Sequence, residues 1–144
     1  MPFGAAVAGD GSARFRLWAP AANEVGLVLG EGGARRALAM QPMADGWHGL
    51  HARDVTPGSV YAFRVDEGEP VPDPASRFQP HDVHGPSALV DPRAFEWPDD
   101  AWRGRPWHEA ALYELHIGTF TAAGTFAAAE AKLDPLARLG VTAL

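Results

Sequence analysis

Cysteine is absent from this chain of 144 residues. Without thiols the chain has no disulfide framework, no thiolate-held iron–sulfur cluster and no cysteine nucleophile. Such usage is compatible with a reducing compartment. We therefore expect a cytoplasmic protein.

Clusters of basic residues and long apolar segments are also missing. The chain has 12 Lys and Arg residues against 18 Asp and Glu residues, a formal net charge of -6. No basic cluster is available to neutralise a series of phosphates, so we expect no nucleic-acid partner. No apolar run approaches the ~20 residues that cross a bilayer. Residues 1–10 lack the features of a secretory signal, and we expect no membrane partner.

Short alternating segments separated by Gly and Pro turns fill the first part of the chain, and helical periodicity is absent there. This pattern predicts an immunoglobulin-like (E-set) β-sandwich over residues 1–68, and a mainly β fold class. The alternation in the second segment places Phe15 and Leu17 inside and Trp18 on the opposite face, at the rim. The third segment is apolar on both faces and should be central. The six predicted strands are residues 3–7, 13–18, 25–29, 35–41, 47–52 and 60–65.

Proline interrupts this pattern between residues 69 and 109. Each proline removes a backbone donor and holds its predecessor in an extended conformation. The segment nevertheless has too many Trp, Phe and Leu residues for a disordered linker. We expect an ordered connector that packs on a neighbouring domain.

A different pattern begins at residue 110. Leu112–Ile117 is predicted as a strand, residues 118–124 as a loop, and Thr125 as the N-cap of a helix that reaches Leu139 and is closed by Gly140. Pro135 predicts a break in that helix, with Asp134 capping its second half. Residues 141–144 return as a strand. This strand–helix–strand order opens a parallel α/β domain, and it needs further strands to bury both of its faces.

Metal and cofactor sites find little support in the sequence. The pairs His48/His51 and His81/His84 have a tempting spacing, but residues three apart on a strand point to opposite faces and no Cys completes a tetrahedral set. The glycines of residues 30–33 precede a predicted strand, which indicates a hairpin turn and not a phosphate-binding loop. We expect no metal and no cofactor.

The carboxylates considered for catalysis lie in turns, at Asp10 and Asp45, and in the connector, at Asp99 and Asp100. We assign no catalytic residue. Trp18 and Trp47 are candidates for sugar binding, because an aromatic ring on a sandwich face can stack on a sugar ring. Packing of both rings at the rim is the simpler interpretation. His116 is a weaker candidate, since a lone His in a strand is more often a hydrogen-bonded structural residue.

Several blocks of sequence resemble a known family. The barrel-like block starts Leu-Tyr-Glu-Leu-His-Ile-Gly-Thr-Phe at Leu112 and ends Leu-Gly-Val-Thr-Ala-Leu at Leu144. The connector contains Asp73-Pro-Ala-Ser-Arg-Phe-Gln-Pro80, His84-Gly-Pro-Ser87 and Val90-Asp-Pro92. With Phe15-Arg-Leu-Trp-Ala-Pro20 and Gly46-Trp47, these blocks are similar to the N-terminal portion of the malto-oligosyltrehalose trehalohydrolases, in glycoside hydrolase family 13 of the α-amylase superfamily.

This resemblance implies a sandwich of the carbohydrate-binding-module-48 type, followed by the truncated first β-α-β of a TIM barrel at residues 110–144. It also implies hydrolysis of the α-1,4 bond next to the trehalose end of maltooligosyl trehalose. The family's Asp nucleophile, Glu acid/base and second Asp lie on later barrel strands. None can be carried onto these residues, so this chain alone should be inactive. Tyr113, Glu114 and His116 match the first barrel strand, and residues 118–121 would lie at the catalytic face.

Three functional interpretations follow. In the first, the chain is the N-terminal fragment of such a hydrolase, with maltooligosyl trehalose and the remainder of the barrel as its partners. In the second, it is a non-catalytic module of a glycogen branching or debranching enzyme that binds α-glucan through Trp47, with or without Trp18. A plain immunoglobulin-like interaction module is the third, and it leaves residues 110–144 unexplained.

Overall fold

The computed structural model describes residues 3–99 and 101–144. The chain divides into two compact units, Met1–Glu96 and Trp97–Leu144.

The first unit is a sandwich of two antiparallel sheets. Within the described residues each sheet has four strands, in the orders β1-β2-β6-β5 and β4-β3-β7-β8. This confirms the predicted mainly β, immunoglobulin-like architecture. The strands are β1 Gly4–Val7, β2 Ala13–Trp18, β3 Val25–Leu29, β4 Arg36–Ala39, β5 Gln41–Pro42, β6 Trp47–Ala52, β7 Val60–Val65 and β8 Ser87–Ala88.

Alternation along the strands builds the core between the two sheets. Phe15 and Leu17 of β2 are buried, whereas Trp18 is exposed, as the alternation predicts. In β7, Tyr61 and Phe63 are buried beside them, and their rings meet edge to face with centroids 5.8 Å apart. β3 is central in its sheet, between β4 and β7, which confirms the prediction for that apolar segment.

The strand predicted over residues 35–41 is divided between the two sheets. β4 pairs with β3 in one sheet, and β5 pairs with β6 in the other. Met40 lies between them, is buried, and donates its backbone N–H to Val25 O at 2.9 Å. A strand that turns the corner of a sandwich in this way changes sheets, so its two halves have different neighbours.

The sandwich extends beyond the boundary predicted at residue 68. Val71 exchanges two backbone hydrogen bonds with Phe63, at 2.8 and 2.9 Å, and β8 pairs with β7. The extended backbone that proline favours suits such short edge pairings. Part of the predicted connector therefore belongs to the sandwich, and its packing on a barrel stays a prediction.

The second unit has no regular strand among its described residues, and an isolated bridge stands where the predicted β-α-β order has its two strands. Over residues 97–99 and 101–144, the parallel pairing is a single bridge between Leu112 and Ala143, and Tyr113 N–H donates to Ala143 O at 3.0 Å. The strand predicted at Leu112–Ile117 is therefore reduced to that bridge, because a strand with one short neighbour has little ladder to hold it. The loop predicted from residue 118 begins instead with a helical turn, α1 Ile117–Phe120.

The predicted helix is two helices, α2 Phe126–Glu130 and α3 Leu133–Leu139. Thr125 caps α2, as predicted, and its hydroxyl accepts the Ala128 N–H at 3.2 Å. The break lies earlier than predicted, and Asp134 is in the first turn of α3 and not its cap. A restart at Leu133 puts Pro135 in that first turn, where the missing N–H has no intrahelical partner to lose.

Candidate functional site

An aromatic concavity lies on the outer face of the β1-β2-β6-β5 sheet. We define it by Phe3, Arg16, Trp18, Trp47, Asp73 and Pro74, around a volume of about 330 Å³. The β2–β6 register places Trp18 directly opposite Trp47, so the two candidate residues are cross-strand neighbours. The structure thus brings together the two tryptophans that the sequence singled out.

Trp18 provides the open ring of the concavity. Its side chain is 59% exposed, and its indole Nε1–H donates to Asp45 O at 3.0 Å. Asp45 has a left-handed backbone (φ 60) in the turn before β6, and this turn brings its carbonyl to the indole. The hydrogen bond fixes the edge of the ring while leaving much of its surface to solvent.

Trp47 is covered by its neighbours. The Phe3 ring stacks on it, with an interplanar angle of 11° and a centroid distance of 6.4 Å. The Arg16 guanidinium lies over the same indole, with Cζ 5.5 Å from the ring centroid, a cation–π geometry. The better platform for a ligand is therefore Trp18. Trp47 instead packs against Phe3 and Arg16.

A buried hydrogen-bond network fixes Asp73, which lines the concavity. Asp73 Oδ2 accepts the Tyr61 hydroxyl at 2.7 Å, and Oδ1 accepts the Ala75 N–H at 2.7 Å. The Asp73 N–H in turn donates to Ser87 Oγ at 3.0 Å. Burial, reinforced by the Asp73 carboxylate, raises the pKa of Tyr61 far above its usual range.

Sequence reasoning missed the roles of Asp73, Tyr61 and Arg16 in this site. The signal for Asp73 was present, since it opens the Asp-Pro-Ala-Ser-Arg block used for the family resemblance. Nothing in the alternation of β7 marks Tyr61 as the donor to that carboxylate.

His116 belongs to the second unit. It is exposed and precedes α1 in an extended conformation, and its backbone carbonyl accepts the N–H groups of Thr119 and Phe120. It therefore begins the short helix, and its role in binding stays a prediction.

Three of the other histidines have separate environments. His48 is buried, and its Nδ1 has no hydrogen-bond partner in the part of the chain that the structure describes. His51 is exposed on the opposite face of β6, and its Nε2 meets Ser12 Oγ. His81 Nε2 lies 2.9 Å from Glu31 Oε1.

Other potential ligand groups are dispersed. Among residues 3–99 and 101–144, no three His, Cys, Asp or Glu side chains form a group suited to a metal ion. Asp10 and Asp45 lie in turns and Asp99 is exposed, while Asp100 lies outside the described residues.

None of the helices described has the length and apolarity needed to cross a membrane.

The comparison with protein families decides the identity of the sandwich. Residues 2–92 match carbohydrate-binding module 48, the isoamylase N-terminal domain. The chain belongs to the carbohydrate-binding module 48 family. The aromatic concavity is thus a feature of a carbohydrate-binding module, formed by its first sheet and the segment that begins at Asp73.

Curated relatives of the module-bearing chain extend the likeness beyond the sandwich. Malto-oligosyltrehalose trehalohydrolase of Arthrobacter ramosus is 44% identical over 133 residues, which cover 91% of this chain and 23% of that protein. The same-named enzyme of Saccharolobus solfataricus is 40% identical over 145 residues, with 100% and 25% covered. The 1,4-alpha-glucan branching enzyme GlgB of Bordetella parapertussis is 36% identical, with 81% and 18% covered. The chain spans about a quarter of the length of the trehalohydrolases it matches.

Solved structures agree with these relatives. A putative alpha amylase from Salmonella typhimurium superposes with a TM-score of 0.84 at 48% identity, covering 97% of this chain and 23% of that one. Apo pullulanase from Paenibacillus barengoltzii superposes with a TM-score of 0.64 at 28% identity, covering 81% and 19%. The resemblance to the N-terminal portion of trehalohydrolases is confirmed.

Proposed function

We propose that the chain is the N-terminal part of a cytoplasmic glycoside hydrolase that releases trehalose from maltooligosyl trehalose. In this proposal, residues 1–96 form its α-glucan-binding module. The observation that carries it is the identity of 40–44% to trehalohydrolases over 91–100% of this chain, across both structural units. The hydrolysis itself belongs to carboxylates of a barrel that these residues only begin.

The aromatic concavity supports glucan binding by the module. The faces of glucosyl rings carry C–H groups that pack on an indole, and large apolar side chains provide most of the contact energy at binding sites. Trp18 offers an exposed ring at a position fixed by the carbonyl of Asp45. Trp47 contributes through its contacts with Phe3 and Arg16. We propose a stacking platform at Trp18 supported by Trp47.

Affinity electrophoresis in glycogen-containing gels tests the binding. Glycogen should retard the wild-type chain, and Trp18→Ala should abolish most of that retardation because the platform is lost. Trp47→Ala should have a smaller effect. Trp102→Ala is the matched control, since Trp102 is 71% exposed and lies in the second unit. Equal mobility of the wild type and Trp18→Ala would contradict the platform.

A glycogen branching or debranching enzyme is the second candidate for the parent protein. It is favoured by the 36% identity to the Bordetella parapertussis branching enzyme and the fold match to pullulanase. The two candidates differ in the product formed from maltotriosyl trehalose. The enzyme that carries this module should release free trehalose, and the 144-residue chain alone should release none. If the enzyme that carries this module releases no trehalose, the second candidate is favoured. If the 144-residue chain alone releases trehalose, our assignment of catalysis to carboxylates outside these residues is contradicted.

A further inference from the structure

The polar groups of the aromatic concavity are largely engaged by the protein itself. The Trp18 Nε1–H is taken by Asp45 O at 3.0 Å. The Asp73 carboxylate is buried, and its two oxygens accept from Tyr61 and Ala75. Among the described lining residues, this leaves the Arg16 guanidinium and the Trp47 indole N–H as side-chain donors. A sugar needs hydrogen bonds to fix its orientation, because stacking alone specifies only a plane.

The position of Arg16 suits it to this role. It stands opposite Gly49 in the β2–β6 register, and the Met43 thioether fills the space over that glycine, where a Cβ would lie 2.6 Å from Met43 Sδ. Its guanidinium lies over the Trp47 ring, and its Nη2 is 3.9 Å from Met43 Sδ, a weak acceptor. Arginine has five N–H donors in a rigid planar fork. The fork is therefore held against one tryptophan and retains donors for a ligand beside the other.

We infer that Arg16 is the side chain that hydrogen-bonds the hydroxyl oxygens of a glucosyl unit stacked on Trp18. This rests on the proposed function of the concavity. The contact is between a cation and a neutral ligand, so it supplies orientation through donated hydrogen bonds and not through charge neutralisation. Arg16 thereby makes the site selective for ligands with adjacent oxygen acceptors on the stacked ring.

Isothermal titration calorimetry of the full 144-residue chain with maltoheptaose measures the binding affinity and tests this inference. Arg16→Met keeps an apolar stem to pack on Trp47 and removes every donor. We expect it to weaken binding by about tenfold, the effect of losing a charge-assisted hydrogen bond. Arg16→Lys keeps the charge without the planar fork, and should bind a few-fold more weakly than the wild type. Arg64→Met, which removes a charge from an exposed position on β7, should leave the affinity unchanged.

The outcomes separate this inference from the proposed function. If the wild type does not bind maltoheptaose, the glucan site itself is wrong. If the wild type binds and Trp18→Ala does not, while Arg16→Met binds like the wild type, the role of Arg16 alone is overturned. Near-UV circular dichroism identifies any Arg16→Met protein that fails to fold. In that case Arg16→Lys decides, and wild-type affinity in it overturns the inference.

Discussion

Tyr61 carries its hydroxyl into the interior of the sandwich, where it donates to Asp73 Oδ2 at 2.7 Å. Burial first, and then the hydrogen bond to the carboxylate, raise the pKa of this phenol far above its usual range. Above pH ~10 the unfolded chain loses the phenolic proton and the folded chain keeps it. The stability from this group is thus present below pH ~10 and declines as the pH rises, by about 1.4 kcal/mol per pH unit.

Urea unfolding between pH 9 and pH 11 measures this effect, with pH steps of about half a unit. Tyr61→Phe should lack this contribution to the alkaline decline. It should also be less stable at neutral pH by about 1–3 kcal/mol, because Asp73 Oδ2 loses its buried donor. Tyr113→Phe, at an exposed residue of the second unit, is the control and should decline like the wild type. An unchanged decline in Tyr61→Phe would contradict the prediction.

The sequence predicts part of the site at this scale and misses the rest for a geometric reason. Alternation in β2 places Trp18 on the outer face, and burial confirms it. The covering of Trp47 depends on Phe3, 44 positions away and on the far side of β2, so no local pattern reveals it. The Tyr61–Asp73 hydrogen bond likewise joins a strand to an irregular segment whose path the prolines do not define.

The turn before β6 depends on one glycine. Gly46 has φ +78, and its carbonyl accepts the Ala19 N–H at 2.9 Å. A Cβ at this position would lie 2.5 Å from Pro20 Cβ and 2.7 Å from Pro20 Cα. Gly46→Ala should therefore lower the free energy of unfolding by about 2–4 kcal/mol, from left-handed strain and steric overlap together.

Urea unfolding measures that loss, and Gly9→Ala provides the control. A Cβ at Gly9 would have no atom within 4 Å, and its φ lies outside the positive region. Gly9→Ala should stay within about 1 kcal/mol of the wild type. Because Gly46 directly precedes Trp47, Gly46→Ala should also weaken maltoheptaose binding. Equal stability of the two variants would show that Pro20 can move aside.

Four of the strands were predicted with their observed bounds. The strands at residues 13–18, 25–29, 47–52 and 60–65 occur as predicted. The segment at residues 35–41 was not, because one alternating pattern cannot show where a strand passes from one sheet to the other. The strand predicted at Leu112–Ile117 is absent for another reason. Its residues favour β structure, but within the described residues their only strand partner is the single bridge to Ala143.

The two units of the chain differ in how far their apolar side chains are buried. The sandwich buries Phe15, Leu27, Phe63 and Leu89 almost completely. In the second unit Phe126 is 79% exposed and Leu139 is 74% exposed. Since hydrophobic stabilisation is proportional to the apolar area removed from water, the first unit has far more of it per residue.

In the whole 144-residue chain, the rate of amide hydrogen exchange should therefore differ between the two units. Amides of β2, β3, β6 and β7 should exchange slowly, because opening them requires loss of the sandwich core. Amides of residues 112–144 should exchange much faster, since their helices are short and their apolar face is open to water. Mass spectrometry of peptides from each unit gives the comparison without a mutation. Equal protection of both would show that the apolar face of the second unit is covered in solution.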